Sequence, residues 1–104
     1  MGDLLFLAGQ GPADASGKLV GGSFEQQARQ TLQNLESVAS AAGASLRQAV
    51  RVGVFLNDLG NFAEFNRIYA EYFGEPLPAR TTIETNLPGF DLEVDAVVWC
   101  GGEA

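Results

Sequence analysis

Arg80 is the residue with the most chemistry to offer. It follows Pro78-Ala79 and opens the run Arg80-Thr81-Thr82-Ile83-Glu84-Thr85. The alternation of that run predicts a strand with Arg80, Thr82 and Glu84 on one face. Glu93 is expected to face outward on a neighbouring strand. A guanidinium fork binds a carboxylate through two parallel hydrogen bonds, so Arg80 has the makings of an anion clamp. The plainer reading is an arginine that snorkels over the sheet or pairs with a nearby acid. Residue type alone leaves both open.

The rest of the composition narrows the chemistry. The chain has no histidine, which removes the usual Ser-His-Asp and Cys-His catalysis and any histidine metal site. Its one cysteine, Cys100, makes neither an intrachain disulfide nor a zinc cluster and is expected to pack beside the last strand. Six Lys+Arg stand against 13 Asp+Glu, a net charge of −7. Binding to a phosphate backbone rests on basic side chains, so nucleic acid is not an expected partner. Gly9-Gln10-Gly11 lacks the third glycine and the following Lys-Ser/Thr of a phosphate loop and reads as a turn. No apolar run approaches the roughly 20 residues of a membrane span. No basic n-region precedes an apolar h-region. These absences, with the lone cysteine, lead to the expectation of a cytoplasmic protein without a membrane partner.

One domain over residues 1–104 must position these groups. With 46% hydrophobic and 18% charged residues it is expected to be globular. Met1-Gly2-Asp3 reads as a hairpin turn, and Leu4-Leu5-Phe6-Leu7-Ala8 as a buried strand. Ser23 and Gln26 form a capping box for a helix whose stripe is Phe24, Ala28, Leu32, Leu35, Ala39 and Ala42, ended by Gly43. A short turn over 45–48 precedes a strand carrying Val50, Val52, Val54 and Leu56 on one face. Asn61 and Glu64 form a second expected capping box. The stripe of the helix that follows is Phe62, Phe65, Tyr69 and Tyr72, read as core packing, with Gly74 and Pro76 ending it. After the Arg80 strand, a turn at 86–89 leads to a last strand with Leu92, Val94, Ala96 and Val98 on one face. The predicted fold is α+β: a mixed sheet with two helices on one face. The opposite face, with Val97 and Trp99, is left for another copy to cover.

Several of these segments carry a resemblance. Leu5-Phe6-Leu7-Ala8-Gly9-Gln10 is similar to a strand that ends in Ser-Gly-Gln in the RidA/YjgF family of reactive-intermediate deaminases. The segment 27–35 resembles that family's first helix, and 54–59 with Phe62 and Asn66 its central strand and second-helix entry. Pro78-Ala79-Arg80-Thr81-Thr82-Ile83-Glu84 looks like the family's arginine signature, and 92–97 like its last strand. The match runs through essentially the whole chain in unbroken order.

The resemblance implies a chorismate-mutase-like homotrimer with helices outside and clefts between subunits. It implies hydrolysis of enamines and imines such as 2-aminoacrylate, released by pyridoxal-phosphate enzymes, to 2-oxo acids and ammonia. That is a 2-iminobutanoate/2-iminopropanoate deaminase-like hydrolase, working without metal or organic cofactor on small 2-imino acids. Some relatives have been described as ribonucleases or translation inhibitors, and others lack the arginine and an established deaminase activity. A non-catalytic trimer that binds small carboxylates or regulates a partner is therefore the second reading. An endoribonuclease-like activity is the third, opposed by the negative charge and the absence of histidine.

Position by position, Arg80 matches the family's carboxylate-binding arginine and Glu93 the acid that helps hold the attacking water. Gly9 matches a glycine whose N–H faces the cleft. Asn66 matches an asparagine near the cleft, with helix capping or inter-helix bonding as its other reading. Thr82 stands where many deaminases carry a cleft cysteine and keeps the backbone carbonyl. Ala8 replaces the family's serine. Family members also carry an earlier strand with a site-lining tyrosine. This chain begins inside that hairpin, so the strand is expected to be absent or the start to be late. Tyr69 and Tyr72 cannot replace that tyrosine by position.

Overall fold

The computed structural model describes residues 3–101. Four strands and two helices form two layers: β1 (Leu4–Gln10), α1 (Phe24–Ala41), β2 (Ala49–Leu56), α2 (Phe62–Tyr72), β3 (Ala79–Glu84) and β4 (Leu92–Trp99). The sheet order is β1-β4-β2-β3, with β2 and β3 parallel and the other pairs antiparallel. This is the expected mixed sheet with both helices on one face. Of the proposed turn at 1–3, Met1 and Gly2 lie outside the described residues, and Asp3 is in a turn.

Alternation places the side chains. On β4, Leu92, Val94, Ala96 and Val98 are buried beneath the helices, and Glu93, Asp95, Val97 and Trp99 look the other way. Val52, Val54 and Leu56 join them from β2. Helix α1 contributes Ala28, Leu32, Leu35 and Ala39, and α2 contributes Phe65, Ile68 and Tyr69. Ser23 accepts from the Gln26 N–H and Gln26 answers to the Ser23 N–H, so the first capping box forms as read. Gly43 at φ 79° takes the left-handed step that stops α1.

Four local expectations are corrected. In β1, read as a buried strand, only Leu7 is buried, while Leu4, Phe6 and Ala8 are exposed. Ala42, the last residue of the expected α1 stripe, is the exposed C-cap residue of that helix. Val50 is exposed rather than buried, because the β2–β4 register shifts between Ala49 and Arg51. A bulge there turns Ala49 inward and Val50 outward. The second capping box does not form: Asn61 makes no side-chain cap hydrogen bond. A single 3-10 turn over Leu59–Asn61 runs straight into α2, and Asp58 caps that turn by accepting from the Gly60 N–H at 2.8 Å.

Helix α2 is pinned to α1 by a fork. Arg29 donates to both carboxylate oxygens of Glu71, at 2.8 and 3.1 Å, and to Glu25 at 2.9 Å. The open face of the sheet carries Phe6 at 60% exposure, with Leu4, Val97, Trp99 and Ile83 on the same side.

Candidate functional site

Arg80 sits one residue inside the edge strand β3, opposite the buried Val52. Parity therefore sends its side chain under α2, and it meets a single stripe of that helix. Phe62, Phe65, Asn66 and Tyr69 recur at i, i+3, i+4 and i+7. The guanidinium carbon lies 4.7 Å from the Tyr69 ring centroid and 5.4 Å from those of Phe62 and Phe65. Asn66 Oδ1 accepts from Arg80 Nη2 at 2.6 Å. Each ring contact of this kind is worth about 0.5–2 kcal/mol, more where water is excluded. Among the described residues no carboxylate pairs with Arg80, so the salt-bridge reading of this arginine fails. Its charge is held by neutral groups.

A cavity of about 360 Å³ opens there, lined by Asn66, Tyr69, Leu77, Pro78 and Arg80. That is enough for a small organic acid. Thr82 lies two positions along the same face, its hydroxyl buried without a hydrogen-bond partner. The Tyr69 hydroxyl is likewise buried, with the Arg80 side chain beside it and, among the described residues, no acceptor for its proton. Burial pushes its pKa above the usual phenol value, against the opposing pull of Arg80.

Gly9 and Glu93 form a second group. A Cβ on Gly9 would overlap Glu93 Oε2 and stand 3.1 Å from its Cδ. The carboxylate thus lies on the bare backbone of β1, and only glycine leaves it that space. This group is on the helix-free face. Glu93 pairs with Phe55 across β2, whereas Arg80 pairs with Val52 on the far side of β2. The expectation that Glu93 neighbours the Arg80 strand is corrected: β2 lies between them, and their side chains point to opposite faces. Within one chain, Arg80, Asn66 and Thr82 share one side, and Gly9 and Glu93 the other.

Phe62, Phe65 and Tyr69 were expected only as core. Phe65 and Tyr69 are buried as expected, yet they also carry the arginine; Phe62 is largely exposed. An aromatic and amide stripe at helical spacing, ahead of an arginine that opens a strand, was the signal available. Asn66 sits within α2 and bonds to Arg80 rather than capping the helix. Cys100 packs partly buried against the core beyond β4. Among the described residues no helix is long and apolar enough to cross a membrane.

Fold and site together define a two-layer α+β domain with an arginine cradled by an amide and three aromatic rings at one sheet edge. The family model described as Endoribonuclease L-PSP matches residues 1–100. A RutC family protein of Pyrococcus horikoshii is 42% identical over 101 residues, covering 94% of this chain and 80% of the relative. Protein HMF1 of Saccharomyces cerevisiae is 43% identical over 97 residues, covering 91% and 75%. A putative endoribonuclease of Thermotoga maritima superposes with a TM-score of 0.92 at 34% identity, covering 98% of this chain and 83% of that one. RidA from an Antarctic Psychrobacter superposes at 0.88 and 31% identity, covering 95% and 82%. The chain belongs to the RidA/YjgF family, to which the L-PSP description also applies.

Proposed function

We propose that this protein hydrolyses small reactive enamines and imines of the 2-aminoacrylate type to 2-oxo acids and ammonia, acting as a homotrimer with its sites between copies. The observation that carries the reading is the half-buried Arg80, held by an amide and three rings and by no carboxylate. Such a fork is set to take a carboxylate bidentately. The acid the reaction wants lies on the other face of the sheet, beside Gly9. Within one chain the sheet separates them, so a second copy must bring its Glu93 to this Arg80. The apolar open face with Phe6 gives the copies a surface to bury.

The chemistry follows from these roles. The enamine 2-aminoacrylate takes a proton at carbon to give the 2-iminopropanoate iminium. Arg80 fixes its carboxylate, and the Gly9 N–H of another copy gives a second contact. Glu93 holds a water and accepts a proton as the water oxygen bonds to the imine carbon, forming a carbinolamine. That proton returns to the amine nitrogen, the C–N bond breaks as the hydroxyl gives its own proton to Glu93 and becomes the carbonyl, and ammonia leaves with pyruvate behind. Thr82 contributes its backbone beside Arg80.

Several relatives are named as endoribonucleases or endonucleases. The surface here argues against RNA. The net charge is −7, and Arg29 and Arg67 are engaged by Glu25, Glu64 and Glu71. The test is to generate 2-aminoacrylate in situ with a dehydratase and trap the surviving imine with semicarbazide. The protein should shorten the life of the imine, and Arg80→Ala should abolish the effect. A protein that binds 2-oxo acids and leaves the imine lifetime unchanged would be a carboxylate-binding member and not a deaminase.

A further inference from the structure

The Tyr69 hydroxyl is buried on a residue only 2% exposed; Arg80 is beside it, but a guanidinium only donates, so among the described residues the phenol proton has no acceptor. Leaving such a group unpaired costs about 1–3 kcal/mol. Phenylalanine would fill the same space between Phe65 and Phe73, whose rings lie 5.5 and 4.3 Å from that of Tyr69. The donor of the hydroxyl is thus unused in the empty protein. Its surroundings indicate what it is for. Tyr69 lines the same cavity as Arg80 and Asn66, and its ring is the one nearest the guanidinium.

We propose that the partner of the Tyr69 hydroxyl arrives with the ligand: the phenol donates a hydrogen bond to the carboxylate that Arg80 clamps. The inference rests on the reading of Arg80 as a carboxylate site. Asn66 already takes one Nη2 hydrogen of the fork, so the anion is left with fewer guanidinium hydrogens. A phenol from the helix side supplies one more donor, in a low-dielectric setting where a charge-assisted bond is strong. Burial holds the phenol protonated, so it remains a donor through the neutral pH range. Phe62 and Phe65, the other two rings around Arg80, have no such group to offer. Tyr69 would thus favour carboxylates over neutral ligands that fit the same cavity.

The test is calorimetric binding of 2-oxobutanoate to the wild type, Tyr69→Phe and Arg80→Ala, each also melted without ligand. The proposal expects Tyr69→Phe to melt at or above the wild-type temperature while its affinity falls about tenfold or more. It expects Arg80→Ala to lose binding. Unchanged affinity in Tyr69→Phe, with Arg80→Ala still defective, overturns the role of Tyr69 and leaves the Arg80 site standing. A markedly lowered melting temperature in Tyr69→Phe also overturns it, since the phenol proton would then have an acceptor in the empty protein. Binding that survives Arg80→Ala, or is absent from the wild type, removes the carboxylate site itself.

Discussion

Replacing Gly9 by alanine should separate catalysis from stability within a single methyl group. The backbone of Gly9 lies outside the left-handed region, so alanine can adopt it, and a strand loses nothing by the exchange. The difficulty is Glu93. The new Cβ would overlap Oε2 and stand 3.1 Å from Cδ and 3.3 Å from Cγ, where ordinary contact begins at 3.4 Å. The yielding group is the end of a flexible side chain, so the carboxylate moves and the strand stays. Clearing the overlap needs a displacement on the order of 1 Å, and a misplacement of that size can cost about 10²-fold in rate. A stability change below about 1 kcal/mol corresponds to less than about 4–8 °C in Tm. Imine hydrolysis followed beside thermal melting should therefore show kcat reduced about 10²-fold, KM little changed and Tm nearly constant. Wild-type kcat in Gly9→Ala would refute the placement of Glu93 as the water-holding group.

Other perturbations follow from the same structure. Arg80→Lys keeps the charge and loses the planar fork, so 2-oxo acid affinity measured by calorimetry should fall nearly as far as in Arg80→Ala. The Thr31 hydroxyl is fully buried and unpartnered in α1; Thr31→Val should raise Tm by a few degrees, since helix propensity is unchanged and an unsatisfied group worth about 1 kcal/mol is removed. Arg29 holds the Glu71 carboxyl below its ordinary value. The stability this pair adds is present above the unfolded carboxylate pKa and is lost as pH falls through the lowered folded one. Glu71→Gln should therefore flatten the acid limb of a Tm-against-pH curve, and only at low salt, because the pair is exposed. Light scattering should give the mass of three chains, by the reading of the open face as a subunit contact.

The sequence carried the elements further than their arrangement. The stripe of α1 and its capping box were legible because both ends of each interaction lie within a few residues. So was the alternation of β4, whose four inward residues are all buried. Local patterns misled where a neighbouring turn competed: Asn61 follows a 3-10 turn capped by Asp58, and Val50 falls on a bulge that only the pairing with β4 creates. Strand order is a non-local property, and the error over Glu93 comes from it. The parity of Arg80 and Glu93 was readable on each strand, but not that β2 runs between those strands. The aromatic stripe of α2 was recognised as core without the arginine it cradles, since nothing in the spacing of Phe62, Phe65 and Tyr69 says what lies beneath. The approach of Glu93 to Gly9 joins residues far apart in the chain and becomes visible only once β1 and β4 are paired.

The account depends most on the site being completed by a second copy. Arg80→Ala and Glu93→Gln, each inactive by itself, can be mixed in equal amounts and carried through subunit exchange. If Arg80 of one chain works with Glu93 of another, random reassembly pairs an intact Arg80 with an intact Glu93 at about one quarter of the sites, and imine hydrolysis should return to about one quarter of the wild-type rate. A mixture no more active than its two components, with exchange verified by mass, would contradict the account.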